Sequence, residues 1–233
     1  MKEVLNVLAL LGESKLLVPA CALAVFCLLR DAPARAWRWM AGLAVAGSVV
    51  LVTKLAFLGW GIGSAALDFT GISGHAMVSM AIYPVLGFGL GNTQGRNAAR
   101  GLCGLGVALA LAIAVSRVLI SAHSWFEVAS GVFLGALVSA WVLAAWPASR
   151  MGLRVAAVAF GFLLSAAAGD VMAPKVRTHD VVVTLALHLA GRDHPYTRES
   201  LHERSAGAGE WRLPPALRAG LASGGRGRAE TAL

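Results

Sequence analysis

Charge is what this sequence has least of. Only 14% of its 233 residues are charged, and the mean hydropathy is +0.71. Soluble domains carry roughly a quarter charged residues, so an ordinary soluble domain is excluded. Cysteine is scarce as well. Cys21, Cys27 and Cys103 all fall inside apolar runs, which excludes a disulfide framework and reads as small buried side chains. Strict alternation of apolar and polar residues is absent, and with it the signature of transmembrane β-strands. The formal net charge of +8 does not point to nucleic acid. The basic residues sit in short loops and an Arg-rich tail, where anionic lipid accounts for them.

What is present is a series of apolar runs near bilayer-spanning length, roughly 20 residues for a helix. We read six: about Leu16 to Leu29, Ala36 to Leu58, His75 to Leu90, Gly101 to Ile120, Phe126 to Trp146, and Val155 to Ala168. Helices satisfy their own backbone groups in lipid, and abundant Gly and Ala let them approach closely. The expectation is an all-α polytopic membrane protein, a six-helix bundle spanning 16–170. Residues 1–15 read as an N-terminal interfacial segment and 171–190 as an interfacial helix too short to span. Residues 191–233 read as a flexible basic tail, with "SGGRGRAE" near its end reading as disordered.

Short-loop charge sets the orientation. Arg30, Arg35 and Arg38 lie between runs one and two, Arg96 and Arg100 between three and four, and Arg150 and Arg154 between five and six. All are on one side, the cytoplasmic one by the positive-inside rule. Trp37, Trp39, Trp141 and Trp146 near the inner ends, and Trp60 and Trp125 near the outer ends, fit an aromatic belt. The opposite face, extracytoplasmic and periplasmic in a Gram-negative inner membrane, carries Lys54, the loop Asp68–His75 and the turn Ser121–Trp125.

Ionisable groups at membrane depth are costly and point to function. Lys54, His75, Arg117, His123 and Glu127 converge on that outer face from separate segments. The set suits phosphate chemistry. Lys54 and Arg117 would neutralise a phosphoryl group. The amides of Gly74 and His75 open a helix, which favours an anion, and Ser73 adds a hydroxyl. Two histidines would divide attack on phosphorus from protonation of the leaving oxygen, with a carboxylate behind the attacking one.

Ser73-Gly74-His75 and "SRVLISAHSWFE" at Ser116–Glu127 make the chain resemble the type 2 phosphatidic acid phosphatase (PAP2) superfamily. Its pattern runs Lys-x6-Arg-Pro, Pro-Ser-Gly-His, then Ser-Arg-x5-His-x3-Asp. The resemblance covers roughly Ala36 to Trp146, with Lys54 in place for the first part. It implies a helical-bundle catalytic core with His123 as nucleophile through a phosphohistidine, Glu127 orienting it in place of Asp, and His75 as general acid. Lys54, Ser73, Gly74 and Arg117 would bind phosphate. It also implies no metal or other cofactor, in keeping with the lack of a carboxylate cluster suited to Mg²⁺. The partner would be a membrane lipid phosphate or pyrophosphate, of the undecaprenyl pyrophosphate, phosphatidylglycerol phosphate or phosphatidic acid type.

The pattern is broken at three points. Gly61 and Ile62 stand at the first-part Arg and Pro, and Ile72 at the Pro before Ser-Gly-His. No Arg or Lys lies between Lys54 and Arg96, so a replacement cation would come from a distant segment.

Other readings use some of the same residues. Ser124-x-x-Glu127 is a helix capping box. Lys54 alone is a snorkelling lysine. His75 and His123 alone are interfacial histidines, or axial ligands of a haem b. A phosphotransferase would share the whole site, and a lipid-phosphate binding or transport relative would share it without hydrolysis. The tail histidines His179, His188, His194 and His202 read as solvated or interfacial.

Overall fold

The computed structural model describes residues 2–92, 94–144 and 178–209. Every regular element among them is helical apart from one isolated bridge, Ser64 with Phe69. In chain order the helices are α1 (Lys2–Leu11), α2 (Ser14–Asp31), α3 (Pro33–Trp60), α4 (Gly74–Gly91), α5 (Arg96–Leu119), α6 (Trp125–Ala144), α7 (Thr178–Ala190) and α8 (Arg198–Gly209).

Of these, α3, α4, α5 and α6 are long and apolar enough to cross a membrane. They contain the second and third expected runs and nearly all of the fourth and fifth. The first run falls in α2, whose apolar stretch Leu16–Leu29 is shorter. A break at Gly12-Glu13 separates it from α1, with the amides of Leu16 and Leu17 restarting the helix on the Glu13 carbonyl at 3.0 Å each. The sixth run, Val155 to Ala168, lies outside the described residues.

Local chemistry sets the helix ends. α3 opens on Pro33, whose missing N–H costs nothing in a first turn. It closes at Gly61, which adopts φ +68°, the left-handed cap that glycine takes without strain. The amides of Gly61 and Ile62 then satisfy the carbonyls of Phe57 (2.7 Å) and Ala56 (3.1 Å). Position 61 serves backbone geometry.

α4 is the hub. In its apolar window 72% of residues are buried, against 22% in α3 and 28% in α5. Small residues set how closely its neighbours come. On α5, Gly106 faces the backbone of Tyr83 and Pro84. On α6, Gly131 faces the Ser73 carbonyl and Ala76, and Gly135 faces Met80. The indole of Trp39 donates to the Ala81 carbonyl at 3.1 Å and pins α3 to α4. Trp39 is therefore a fully buried core residue, not part of the aromatic belt expected from its position. Trp37, Trp60, Trp125 and Trp141 are exposed, as belt residues should be.

The C-terminal segment departs most from expectation. In α7, Ala186, with Val182 and Val183, packs against Phe57 and Leu58 of α3, joined by Leu201 of α8. Gly59 makes room for Ala190 and the Ala186 carbonyl. The Tyr196 amide donates to the Leu58 carbonyl at 3.0 Å. The first part of the expected flexible tail thus contacts the bundle, from Tyr196 to Arg204. Composition hid this, because α8 is polar and docks through one leucine and its charged side chains.

Candidate active site

The site gathers where the end of α3, the loop 61–73, the start of α4 and the turn from α5 to α6 meet. The loop is tied down at several points. Ser64 and Phe69 exchange backbone hydrogen bonds of 3.0 and 2.8 Å. The Ile72 amide donates to Thr53 Oγ1 of α3 at 3.2 Å. Gly71, at φ +141°, passes so close to Lys54 that a Cβ there would lie 3.0 Å from Lys54 Cγ. The Ser73 amide donates to the Glu127 carbonyl at 3.0 Å, which joins the start of α4 to the first turn of α6.

Glu127 is the centre of the polar network and is fully buried. Its Oε1 accepts from the Thr70 amide and hydroxyl, both at 2.6 Å, and from Arg198 Nη2 at 3.1 Å. Its Oε2 meets His123 Nδ1 at 2.7 Å, the Ser124 amide at 3.2 Å and Arg198 Nη2 at 3.0 Å. The Glu127 amide donates back to Ser124 Oγ at 3.3 Å. The capping box is therefore formed, and the same carboxylate also holds the histidine. The Thr70, Ser124 and Arg198 groups are donors, so the side chain is an ionised acceptor.

That fixes the imidazole. His123 Nδ1 faces an acceptor-only group and carries the proton, so Nε2 keeps its lone pair. The ring is nearly buried, at 14% side-chain exposure. Its backbone is set by the turn, where the amides of Ala122 and His123 donate to the Arg117 carbonyl at 3.0 and 3.2 Å and Ser121 takes φ +55°. Burial, with Lys54 and Arg117 nearby, holds His123 below the usual imidazole value, and Glu127 pulls it part of the way back.

The other residues expected from sequence come together around this pair. Lys54, His75, Arg117 and His123 lie within one another's electrostatic reach, and Lys54 also within that of Glu127. Ser73 caps α4 without bonding its own backbone, and Gly74 opens the helix. Ser73 Oγ and Arg117 Nε are buried with no hydrogen-bond partner among the described residues. A buried unsatisfied polar group costs about 1–3 kcal/mol, so these two atoms suit a polar ligand.

Several participants were not legible. Thr70 and Thr53 carry no sequence signal beyond lying near the motifs. Asp68 carries the wrong sign for a phosphate ligand. It binds Arg198 Nη1 through its carbonyl (2.8 Å) and its carboxylate, and His202 Nε2 through Oδ1 at 2.8 Å. His202, read as solvated or interfacial, thus has a partner. Arg198 lies in the segment read as a tail. Arg204, also on α8, lays its guanidinium beside Gly61, within 2.7 Å of where a Cβ would stand, and donates to the Gly61 carbonyl at 3.2 Å. Positive charge therefore stands beside position 61 although glycine occupies it.

An all-α, multi-pass membrane protein with a buried histidine–carboxylate pair among cations at one end of its bundle is what the fold and site define. The chain matches the PAP2 superfamily over residues 54–151. It is 31% identical over 210 residues to the "Uncharacterized 22.5 kDa protein in cps region" of Klebsiella pneumoniae, covering 86% of this chain and 98% of that protein. No solved structure is significantly similar to it. The chain belongs to the PAP2 superfamily.

Proposed function

We propose that the protein hydrolyses a membrane lipid phosphate or pyrophosphate at the extracytoplasmic face of a bacterial inner membrane, through a phosphohistidine on His123. The observation that carries this reading is the 2.7 Å contact between His123 Nδ1 and the buried Glu127 carboxylate, which leaves Nε2 free to attack. Nε2 forms a bond to phosphorus as the bond from phosphorus to the leaving oxygen breaks. His75 gives that oxygen a proton. His75 then takes a proton from water, whose oxygen attacks the phosphohistidine. The P–N bond breaks, and phosphate leaves with His123 restored. Glu127 stabilises the charge that His123 gains on attack.

Lys54 and Arg117 would neutralise the phosphoryl oxygens, with Ser73 Oγ and the α4 N-terminus at Gly74 as donors. The two unpartnered atoms, Ser73 Oγ and Arg117 Nε, support that placement. A lipid substrate is supported by a site at one end of a bundle whose long helices expose apolar side chains. In this reading the bundle has six crossings, and both termini share the site's side. The α7–α8 segment against the site supports the C-terminal half of that topology, and the Arg loops at the other end support the orientation.

The test is phosphate release by detergent-purified protein from undecaprenyl pyrophosphate, phosphatidylglycerol phosphate and phosphatidic acid, with His123→Ala beside it. Release by the wild type and none by the variant is expected. Equal release by the two would remove the assignment.

A further inference from the structure

The residues matching the family end at 151, yet one side chain from beyond that limit enters the polar network. Arg198, on α8, donates from Nη2 to both oxygens of Glu127 and to Thr70 Oγ1 at 3.3 Å. Its Nη1 grips Asp68 by carbonyl and carboxylate. His202 stands one helical turn on, on the same face, and holds the other oxygen of Asp68. Asp68 sits at φ +48°, a conformation a non-glycine residue keeps only when held. This geometry turns its carbonyl and carboxylate toward one guanidinium.

We propose that Arg198 is a positioning residue of the site: it fixes the Glu127 carboxylate against His123, so the working site includes the C-terminal helix. This rests on the reading of His123 as nucleophile. The physical reason is the burial of Glu127. A fully buried carboxylate needs a cation and a full set of donors to stay ionised and in place. His123 supplies only one donor and becomes cationic only during attack. Arg198 supplies the standing charge: Nη2 bridges both oxygens of Glu127, and Nη1, anchored on Asp68, holds the guanidinium plane in place. Both of its Nη atoms are engaged by Asp68, Thr70 and Glu127, so it works through Glu127.

Gly61 belongs to the same arrangement. The Arg204 guanidinium fills the space where a side chain at 61 would project. A side chain at 61 would displace that guanidinium and would be strained at φ +68°.

The test uses the full chain in detergent micelles, with dioctanoyl phosphatidic acid as substrate and ¹⁵N-histidine NMR as a second readout. Arg198→Ala, Arg198→Lys and a same-helix charge control, Glu203→Gln, are compared. His123→Ala and His202→Ala assign the signals. Other charged and titratable groups around His123 and Glu127 are Lys54 from α3, His75 from α4, Arg117 from α5 and Asp68 from the loop, and they are unchanged throughout.

Arg198→Ala should lower kcat about tenfold or more with KM moved less than about threefold. It should also raise the His123 titration midpoint, because a nearby cation is lost. Arg198→Lys should keep the midpoint but only part of kcat, since one ammonium cannot hold Glu127 and Asp68 together as Nη2 and Nη1 do. It also serves as the folded variant should alanine destabilise the chain. Glu203→Gln should match the wild type. An Arg198→Ala protein with wild-type kcat and midpoint, or with a lower melting temperature as its sole defect, would overturn the proposal. Equal phosphate release by wild type and His123→Ala would instead remove the phosphatase reading. The His123 midpoint in Arg198→Ala then decides the role of Arg198 by itself.

Discussion

Glu127 does two jobs with one carboxylate. It closes the capping box at the start of α6 and holds His123 Nδ1. Glu127→Gln separates charge from shape. A glutamine has one amide oxygen and must turn its NH₂ toward donors on one side or toward His123 Nδ1 on the other. The second choice forces the wrong tautomer. We expect kcat to fall by about 10²-fold or more. Facing donors should also cost stability on the order of 1–3 kcal/mol, read as a lower melting temperature. An unchanged kcat in Glu127→Gln would reduce the residue to a helix cap.

The pH profile belongs to this scale too. In the proposed mechanism His123 attacks in its neutral form, and its ionisation is held below the usual 6.5. On the acid side, activity therefore rises with pH through a midpoint below that value. The acid limb of kcat/KM measures it, and a midpoint above 6.5 would contradict the environment described here. That His123, His75, Glu127, Ser73 and Arg117 would lie near one another was readable from two short motifs, and Lys54 from its place at the outer end of its run. Thr70, Asp68 and Arg198 were not. Their roles come from a left-handed turn and from pairings across 57 to 130 residues.

Among the helices, the site depends on how closely α6 packs on α4. A Cβ at Gly131 would stand 2.5 Å from the Ser73 carbonyl. Gly131→Ala must push the start of α4 away from Glu127, at a cost of about 1–3 kcal/mol for overpacking. We expect a lower melting temperature together with reduced kcat. Gly47 on α3 has nothing within 4 Å of the same position. Gly47→Ala should be neutral or stabilising by up to about 1 kcal/mol, since alanine is the better helix former. Equal melting temperatures for the two variants would refute the close α4–α6 contact. Helices α3 to α6 were readable from apolar run length alone. The break between α1 and α2 falls in the polar stretch Gly12-Glu13-Ser14-Lys15, which closes the segment read as 1–15. The docking of α8 was not readable, because its attachment is polar.

For the whole molecule, the end of α8 and the site lie on one face, while Arg96 and Arg100 mark the opposite end of α5. An alkaline phosphatase fused after Gly209 should be active, and one fused after Gln94 inactive, if the site faces outward. An inactive, well-expressed fusion at Gly209 would turn the protein over. The central claim is that His123 carries the phosphoryl group. Its most direct test is rapid acid-free quenching of the wild type with ³²P-labelled lipid phosphate, followed by mapping of the protein-bound label. The account predicts an acid-labile, base-stable phosphoryl group on His123, formed before phosphate release and absent from His123→Ala. Turnover by the wild type with no label on the protein, or label that survives in His123→Ala, would contradict it.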